Sequence, residues 1–464
     1  MSAATAETEL TLSTQEIAQA AKAAARVLAP LSEGKRNAAL EAMAKAVAGA
    51  SAELFAANAE DLKVAESLTG EDALSSATLS RLKLTEGKLR EMVEQVRSVM
   101  ALPDPLGRTL DAVELDDRDP EGSVEPTSQK RDVGHPEHGL HMEKVSVPLG
   151  VLAVIFEARP DAVTQIAALA LKSGNAVILK PGREVECTAT ALVRVLREGL
   201  AAEGVPEAAV SLVLGRERVN ELLAMHSLVD MVIPRGTKKL VEYVQANTRI
   251  PVLGHAEGVC HIYVDRAADE ELALRVIDDA KTDYPAACNA VETVLVHAEI
   301  AADFVPKLAE RMRERGVLLH GDVAARTMMT ALPVDDWHTE YGELEMAVGV
   351  VPSLDAAMEH IHRYGSVHTE SVITEDAEVA ERFLREVDAA SVMHNASTRF
   401  ADGFRYGFGA EVGISTSKFH ARGPVGLDGL TTYKYVVRGA GHVAGDYRGA
   451  QARAFTHRRA GEAR

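Results

Sequence analysis

Four short apolar runs alternate with four amphipathic stretches between residues 150 and 247, and no other feature constrains the fold as tightly. The apolar runs, 150–156, 175–179, 210–214 and 231–233, have the length of buried strands, whereas 162–172, 187–203, 218–225 and 238–247 repeat apolar residues at helical spacing. A helix between successive strands forces them parallel, because the crossover returns the chain to the same end of the sheet. The expectation is an α/β chain built on a doubly wound parallel sheet. After Pro251 the scheme repeats, with strands at 291–296, 345–351 and 371–374 and helices at 270–281, 301–314 and 354–363. At 464 residues the chain exceeds what a single core organises, which agrees with a second α/β domain.

Helices precede this alternation. Ser13, with Glu16 three positions on, forms a capping box that opens an alanine-rich helix to about Leu28. The stretch 34–48 sets Leu40, Met43, Ala44 and Val47 at helical spacing, 84–100 is amphipathic, and Pro103 and Pro105 end the block. Strands are expected at 108–115 and 139–147. Between them 116–138, rich in Asp, Pro, Gly and Ser, is too polar to pack and reads as a mobile hairpin insertion with solvated His135 and His138. A further strand is expected at 431–438. The end of the chain, with Arg448, Arg453, Arg458, Arg459 and Arg464 among Gly and Ala, reads as a disordered tail of solvated charges.

Charge and cysteine content narrow the functions. A formal charge of −19 repels the phosphates of a nucleic acid, so no such partner is expected, and an anionic small substrate requires a local cluster of arginines. Three cysteines make no disulfide framework and indicate a reducing compartment. The amino terminus lacks the basic start and apolar core of a signal peptide, and the longest apolar run, around 147–156, is too short for a bilayer. A cytoplasmic protein without a membrane partner is expected.

The chemistry centres on Lys281-Thr-Asp-Tyr-Pro-Ala-Ala-Cys288-Asn289-Ala-Val-Glu292-Thr. Small neighbours leave room around the Cys288 sulfur, and a turn directly before a strand can present it to a cleft near backbone N–H groups, as a nucleophile requires. Cys187 and Cys260 read instead as small buried hydrophobes. Two strand ends suit a dinucleotide. In Lys180-Pro181-Gly182-Arg183 the lysine stands at the carboxyl end of a strand, where it can hold a ribose or phosphate, and the Arg183 guanidinium matches a 2′-phosphate. In Arg235-Gly236-Thr237 a strand opens into a helix whose first N–H groups can hold a pyrophosphate. The chain has no G-x-G-x-x-G fingerprint, so this is not an ordinary Rossmann fold.

Longer stretches carry a resemblance: Val147-Pro-Leu-Gly-Val-Leu-Ala-Val-Ile-Phe-Glu-Ala-Arg-Pro160, Leu171-Lys-Ser-Gly-Asn-Ala-Val-Ile-Leu-Lys180, Pro251-Val-Leu-Gly-His-Ala-Glu-Gly-Val-Cys-His261, Tyr284-Pro-Ala-Ala-Cys-Asn-Ala-Val-Glu-Thr293 and Gly423-Pro-Val-Gly-Leu427. On these the chain resembles the aldehyde dehydrogenase superfamily and, within it, the gamma-glutamyl phosphate reductases, or glutamate-5-semialdehyde dehydrogenases. The resemblance implies two doubly wound parallel-sheet domains, a dinucleotide-binding one from 1–105 with 148–254 and a catalytic one at 255–425. It also implies a small β oligomerisation arm from 106–147 with 426–440, leaving 441–464 as the tail. The implied reaction is NADPH-dependent reduction of L-glutamyl 5-phosphate to glutamate 5-semialdehyde through a Cys288 thioester, in proline biosynthesis.

Two departures from the superfamily bear on that chemistry. Val252 stands where hydrolytic members carry a water-activating Glu, so the thioester persists. Ala158 stands where they carry an oxyanion Asn, which leaves the Cys288 N–H and the Asn289 side chain for that role. The resemblance further implies Glu157, Arg159, His255, Arg399, Glu411 and Arg422 as substrate-binding residues, Glu345 at the nicotinamide ribose, no metal and a homo-oligomer. Docking with the glutamate 5-kinase that supplies the labile substrate is left open. So are a hydrolytic dehydrogenase using Glu257, a phosphorylating dehydrogenase for another acyl phosphate, and a silent scaffold.

Overall fold

A computed structural model of the protein describes residues 12–67, 76–117 and 139–459. The insertion expected at 116–138 lies, from residue 118 onward, outside the described residues, with His135 and His138. On either side of it β1 (Thr109–Asp116) and β2 (Leu140–Pro148) pair antiparallel.

The first domain is organised by β3 (Val151–Phe156), β4 (Ala176–Pro181), β5 (Val210–Leu212) and β6 (Met231–Arg235), a parallel sheet in the order β5-β4-β3-β6. All residues of β3 and β4 are buried, which is why these strands read as continuous apolar runs rather than alternating ones. Helices Ala162–Lys172 and Lys238–Asn247 occupy the expected positions. Five more helices, Thr14–Leu28, Glu33–Gly49, Ser51–Ser67, Ser76–Leu82 and Glu86–Ala101, precede the sheet, and residues such as Leu40, Met43 and Val96 share one core with Val154 and Leu192. Each such fully buried Leu or Val contributes about 1.5–3 kcal/mol.

Helix Ser51–Ser67 has no sequence counterpart among the expectations because its inner face is polar. Asn58 donates to the Leu82 carbonyl at 2.9 Å and accepts from Leu84 N–H at 2.8 Å. Buried Asp61 accepts the N–H groups of Cys187 and Thr188 at 2.9 and 2.7 Å, so it caps helix Glu186–Ala202 from a distant part of the chain.

The second domain is a seven-stranded parallel sheet of β7 (Cys260–Val264), β8 (Val291–His297), β9 (Leu318–Gly321), β10 (Leu332–Pro333), β11 (Glu345–Val351), β12 (Thr369–Ile373) and β13 (Ser391–His394), in the order β10-β9-β11-β8-β7-β12-β13. Ile262 and Val264 join one apolar cluster and Tyr263 another, so both faces of the sheet are covered. A short antiparallel pair, β14 (Ile414–Ser415) and β15 (Gly423–Pro424), follows. Val412, Val425 and Leu427 lie in the core of the first domain, so the chain has crossed back before residue 425, where the resemblance placed the end of the catalytic domain.

β16 (Thr431–Arg438) pairs antiparallel with β2 and completes the arm. Within 441–459 most of the tail is not a spray of solvated charges, although Arg448 is exposed; Arg464 lies outside the described residues. β17 (Arg458–Arg459) pairs with β1 on its other edge, giving the order β16-β2-β1-β17. The reason is charge complementarity to an acidic strand: Arg458 meets Glu114 at 2.9 Å, Arg459 meets Asp111 at 3.3 Å, and Arg453 meets the fully buried Asp116 at 3.2 Å. Tyr447 adds a hydroxyl to Asp116 at 3.0 Å and stacks on Phe455. Among the described residues no helix is long and apolar enough to cross a membrane.

Candidate active site

Cys288 lies three residues before β8, and its neighbours come from the segments entering β7 and β12. The catalytic sheet therefore presents the amino ends of its strands to the site. Only the first sheet obeys the expectation that parallel sheets work at their carboxyl ends, where β3, β4 and β6 deliver Glu157, Lys180 and Arg235.

The Cys288 turn is held by its backbone. Gly258, entering β7, lies so close that a Cβ there would stand 2.0 Å from the Cys288 carbonyl oxygen. That oxygen accepts the Cys260 thiol at 3.3 Å, and burial keeps Cys260 protonated by pushing its pKa well up. Cys260 is thus a packed neighbour, whereas Cys187, expected as a small buried hydrophobe, is exposed at the start of helix Glu186–Ala202, where partial desolvation and Asp61 raise its pKa to about 11. Cys288 itself is half-buried, and its N–H finds no acceptor among the described residues, which leaves it free for an oxyanion. Asn289 is not free. Its Nδ2 donates to the Ala401 carbonyl at 3.0 Å and its Oδ1 accepts from Arg399, so the side chain expected at the oxyanion instead braces the turn. Arg399, expected at the substrate, is spent on this brace and on Asp283 at 3.2 Å.

Beside the sulfur stand His255 and His368, and Arg235 lies within its electrostatic reach together with Arg159 and Glu411. One ligating atom each of His255, Cys288 and His368 lie within 4.8 Å of one another, and the two rings meet edge to face. His255 donates or accepts through Nδ1 to the Ile414 carbonyl at 2.9 Å, and a carbonyl can only accept, so Nδ1 carries the proton. The guanidinium of Arg235 has its pKa lowered to about 10, first by burial and then by the like charge of Arg159, against the pull of Glu411, Asp161 and Cys288. Arg235, which its sequence position assigned to the cofactor turn, also lies within the electrostatic reach of the cysteine. Burial raises the pKa of Glu411, whose carboxylate accepts the Gly403 N–H at 2.8 Å.

On the cofactor side, Lys180 is buried at the end of β4 and donates to the Pro181 carbonyl. Burial lowers its pKa, opposed by Glu186, Glu184 and Glu217. Arg183 is exposed and has no ion pair among the described residues. Glu157, expected at the substrate, accepts the Thr237 N–H at 2.9 Å and fills the space a side chain at position 236 would take. The turn therefore has one fewer donor for a pyrophosphate than its sequence promised.

With this geometry in place, comparison with known proteins is decisive. The aldehyde dehydrogenase family model matches residues 123–332. The gamma-glutamyl phosphate reductase of Synechococcus sp. (strain JA-3-3Ab) is 52% identical, covering 95% of this chain and 93% of its own, and that of Natronomonas pharaonis is 48% identical over 97% and 98%. The chain belongs to the gamma-glutamyl phosphate reductase family. The crystal structure of the Thermotoga maritima gamma-glutamyl phosphate reductase superposes with a TM-score of 0.84 at 38% identity, covering 92% of this chain and 99% of that one. An acetylating aldehyde dehydrogenase from Geobacillus thermoglucosidasius, at 18% identity and a TM-score of 0.61, shares the fold, which is aldehyde dehydrogenase-like.

Within this reductase family frame, further expectations change. Glu345 pairs with His320 at 3.1 Å. Lys238 pairs with Glu257, which raises its pKa. Arg422 is bound to Asp388 at 2.8 Å, which Lys418 shares, while its Nε and Nη2 are buried without a protein partner. Ala158 adopts φ 49°, a left-handed conformation that Asn tolerates better than Ala, and its N–H donates to Glu184 at 2.6 Å.

The 340 loop is tied to the nucleophile's strand by Glu292, which accepts the N–H groups of Tyr341 and Gly342 at 3.3 and 3.2 Å and pairs with fully buried Lys281 at 2.9 Å. Burial pushes the Glu292 carboxyl up to about 7 despite that ammonium. A raised carboxyl pKa means that the folded chain holds the proton more tightly than the unfolded one. This contribution to stability is complete below about 4.5 and is lost as pH rises through about 7. Glu292→Gln at pH 8 strands the Lys281 charge and is expected to cost about 3 kcal/mol in urea denaturation. An unchanged midpoint would mean that Lys281 sheds its proton without cost.

Proposed function

We propose that the protein reduces L-glutamyl 5-phosphate to glutamate 5-semialdehyde and phosphate, with NADPH as the reductant. The observation that supports the reading is the Cys288 turn, whose backbone N–H has no acceptor among the described residues, with the half-buried Arg235 within electrostatic reach of the sulfur and of the exposed Arg159. Two like charges near one another are satisfied by an anion, and the substrate brings both a phosphate and a carboxylate. Lys180 at the end of β4 and the unpaired Arg183 fit a phosphorylated dinucleotide, which when bound supplies a hydride.

In this mechanism the Cys288 thiolate attacks the acyl carbon, the Cys288 N–H stabilises the oxyanion, and phosphate departs toward the arginines, leaving a thioester. Addition of hydride to the thioester carbon gives a thiohemiacetal oxyanion, which collapses to the aldehyde and regenerates the thiolate. The thiohemiacetal collapse needs no proton, but the departing phosphate takes up one to leave as HPO42−, so each turnover consumes one proton from solvent. Water is kept from competing because Val252 replaces the general base and Glu257, the only carboxylate nearby in sequence, is engaged by Lys238.

The reading is tested in reverse, by NADP reduction with glutamate 5-semialdehyde at varied phosphate. Turnover that requires phosphate supports it, and equal turnover without phosphate would move the assignment to a hydrolytic dehydrogenase. Arg183→Glu is expected to lower kcat/KM for NADPH about tenfold or more and leave NADH unaffected. Equal losses with both cofactors would place the 2′-phosphate elsewhere. The exposed edge of β16, with Tyr433, Tyr435 and Val437, is the surface we assign to self-association, and the cysteine usage to the cytoplasm.

A further inference from the structure

We propose that Cys288, His255 and His368 form a soft-metal site that binds Zn2+ or Co2+ and reversibly silences the nucleophile. The inference rests on geometry outside the reaction itself. One donor atom from each residue lies within 4.8 Å of the others, and ligand atoms around a tetrahedral zinc stand about 3.3–3.8 Å apart given bonds of about 2.0–2.3 Å, so closure needs a contraction of about 1 Å.

The two imidazoles are already arranged as ligands. Nδ1 of His255 is fixed by the Ile414 carbonyl at 2.9 Å, the type of hydrogen bond that fixes the tautomer of a metal-binding histidine and leaves Nε2 with its lone pair. His368 is 1% exposed, and its Nδ1 is engaged by the Thr369 hydroxyl at 2.8 Å. Its Nε2 is buried without any hydrogen-bond partner. An orphaned imidazole nitrogen costs free energy wherever it is buried, and a ligand that accepts its lone pair removes that cost. A thiolate with two imidazoles suits a borderline-soft cation, and three protein ligands leave a fourth position for water.

Binding replaces the thiol proton: Cys288–SH and M2+ give the Cys288 thiolate–metal bond and release one proton to solvent. No oxidation state changes, and a chelator reverses the step. Metal and acyl phosphate compete, because the lone pair that attacks the acyl carbon is the one that holds the ion. This site uses the sulfur assigned above as nucleophile, but its test does not depend on that assignment.

The full-length, chelator-treated protein is titrated with Co2+ and read by absorption. Wild type should bind one equivalent with a thiolate-to-cobalt charge-transfer band, displaced by Zn2+. Cys288→Ser should abolish the band, His255→Gln and His368→Gln should each weaken binding at least tenfold, and Cys187→Ser should change nothing. If buried His368→Gln does not fold, as judged by circular dichroism, the partly exposed His255→Gln decides. A charge-transfer band that survives Cys288→Ser, or binding indifferent to both histidines, overturns the proposal. Loss of aldehyde turnover with an intact metal titration would instead sink the reductase reading and leave this one standing.

Discussion

Cys288→Ala is expected to abolish phosphate-dependent NADP reduction, with a loss of at least about 10^4-fold in kcat, because no other group can carry the acyl intermediate. Cys260 cannot substitute. It is fully buried, its pKa is driven well up by that burial, and its thiol points its proton at the Cys288 carbonyl. Cys187 lies at the start of helix Glu186–Ala202, in the first domain, and its pKa is raised to about 11. The variant should keep its thermal midpoint, since a half-buried sulfur on a turn contributes little packing. Retained turnover with a normal phosphate dependence would remove the covalent mechanism altogether. A matched measurement is stoichiometric alkylation of the wild type by iodoacetamide, which should modify Cys288 first and be slowed by the acyl phosphate.

Gly258→Ala is expected to have the next largest effect, although residue 258 carries no chemistry. The added Cβ would lie 2.0 Å from the Cys288 carbonyl oxygen and 2.6 Å from its Cα, far inside van der Waals contact, and both partners are backbone. Neither can yield by turning a side chain. The Cys288 turn must move by about 1 Å, which costs on the order of 10^2-fold in kcat when a nucleophile is displaced from its line of attack. Overpacking should also lower stability by about 1–3 kcal/mol. A drop in kcat that exceeds any change in cofactor affinity is the expected signature in steady-state kinetics. Full activity would show that the 258 segment yields and the nucleophile turn does not.

Much of the architecture was open to reading from residues alone. Helices 162–172 and 238–247 and strand 345–351 were readable because apolar periodicity is set locally, by which face each element must bury. Cys288 was readable for a similar reason, since small residues before a strand restrict what the turn can do. Helix Ser51–Ser67 was missed because its buried face uses Asn58 and Asp61, whose partners lie near residues 84 and 187. The tail was misread because arginines among glycines look solvated until an acidic edge strand is placed beside them. His368 gave no signal at all. A lone histidine before a strand acquires a role only when β12 lies beside β7 and brings it to Cys288.

The deeper division concerns direction. The sequence by itself determined the class of fold and singled out Cys288 and Val252 as candidates, because each depends on residue type and local spacing. Only the tertiary structure decided what the charged residues do. Glu157, expected at the substrate, accepts the Thr237 N–H, and Arg399, expected there too, donates to Asn289. A long charged side chain reaches several ångströms from its Cα, so its sequence position locates the root and not the head. Where the head settles is fixed by the nearest opposite charge or unpaired donor, and those partners here come from segments up to 116 residues apart.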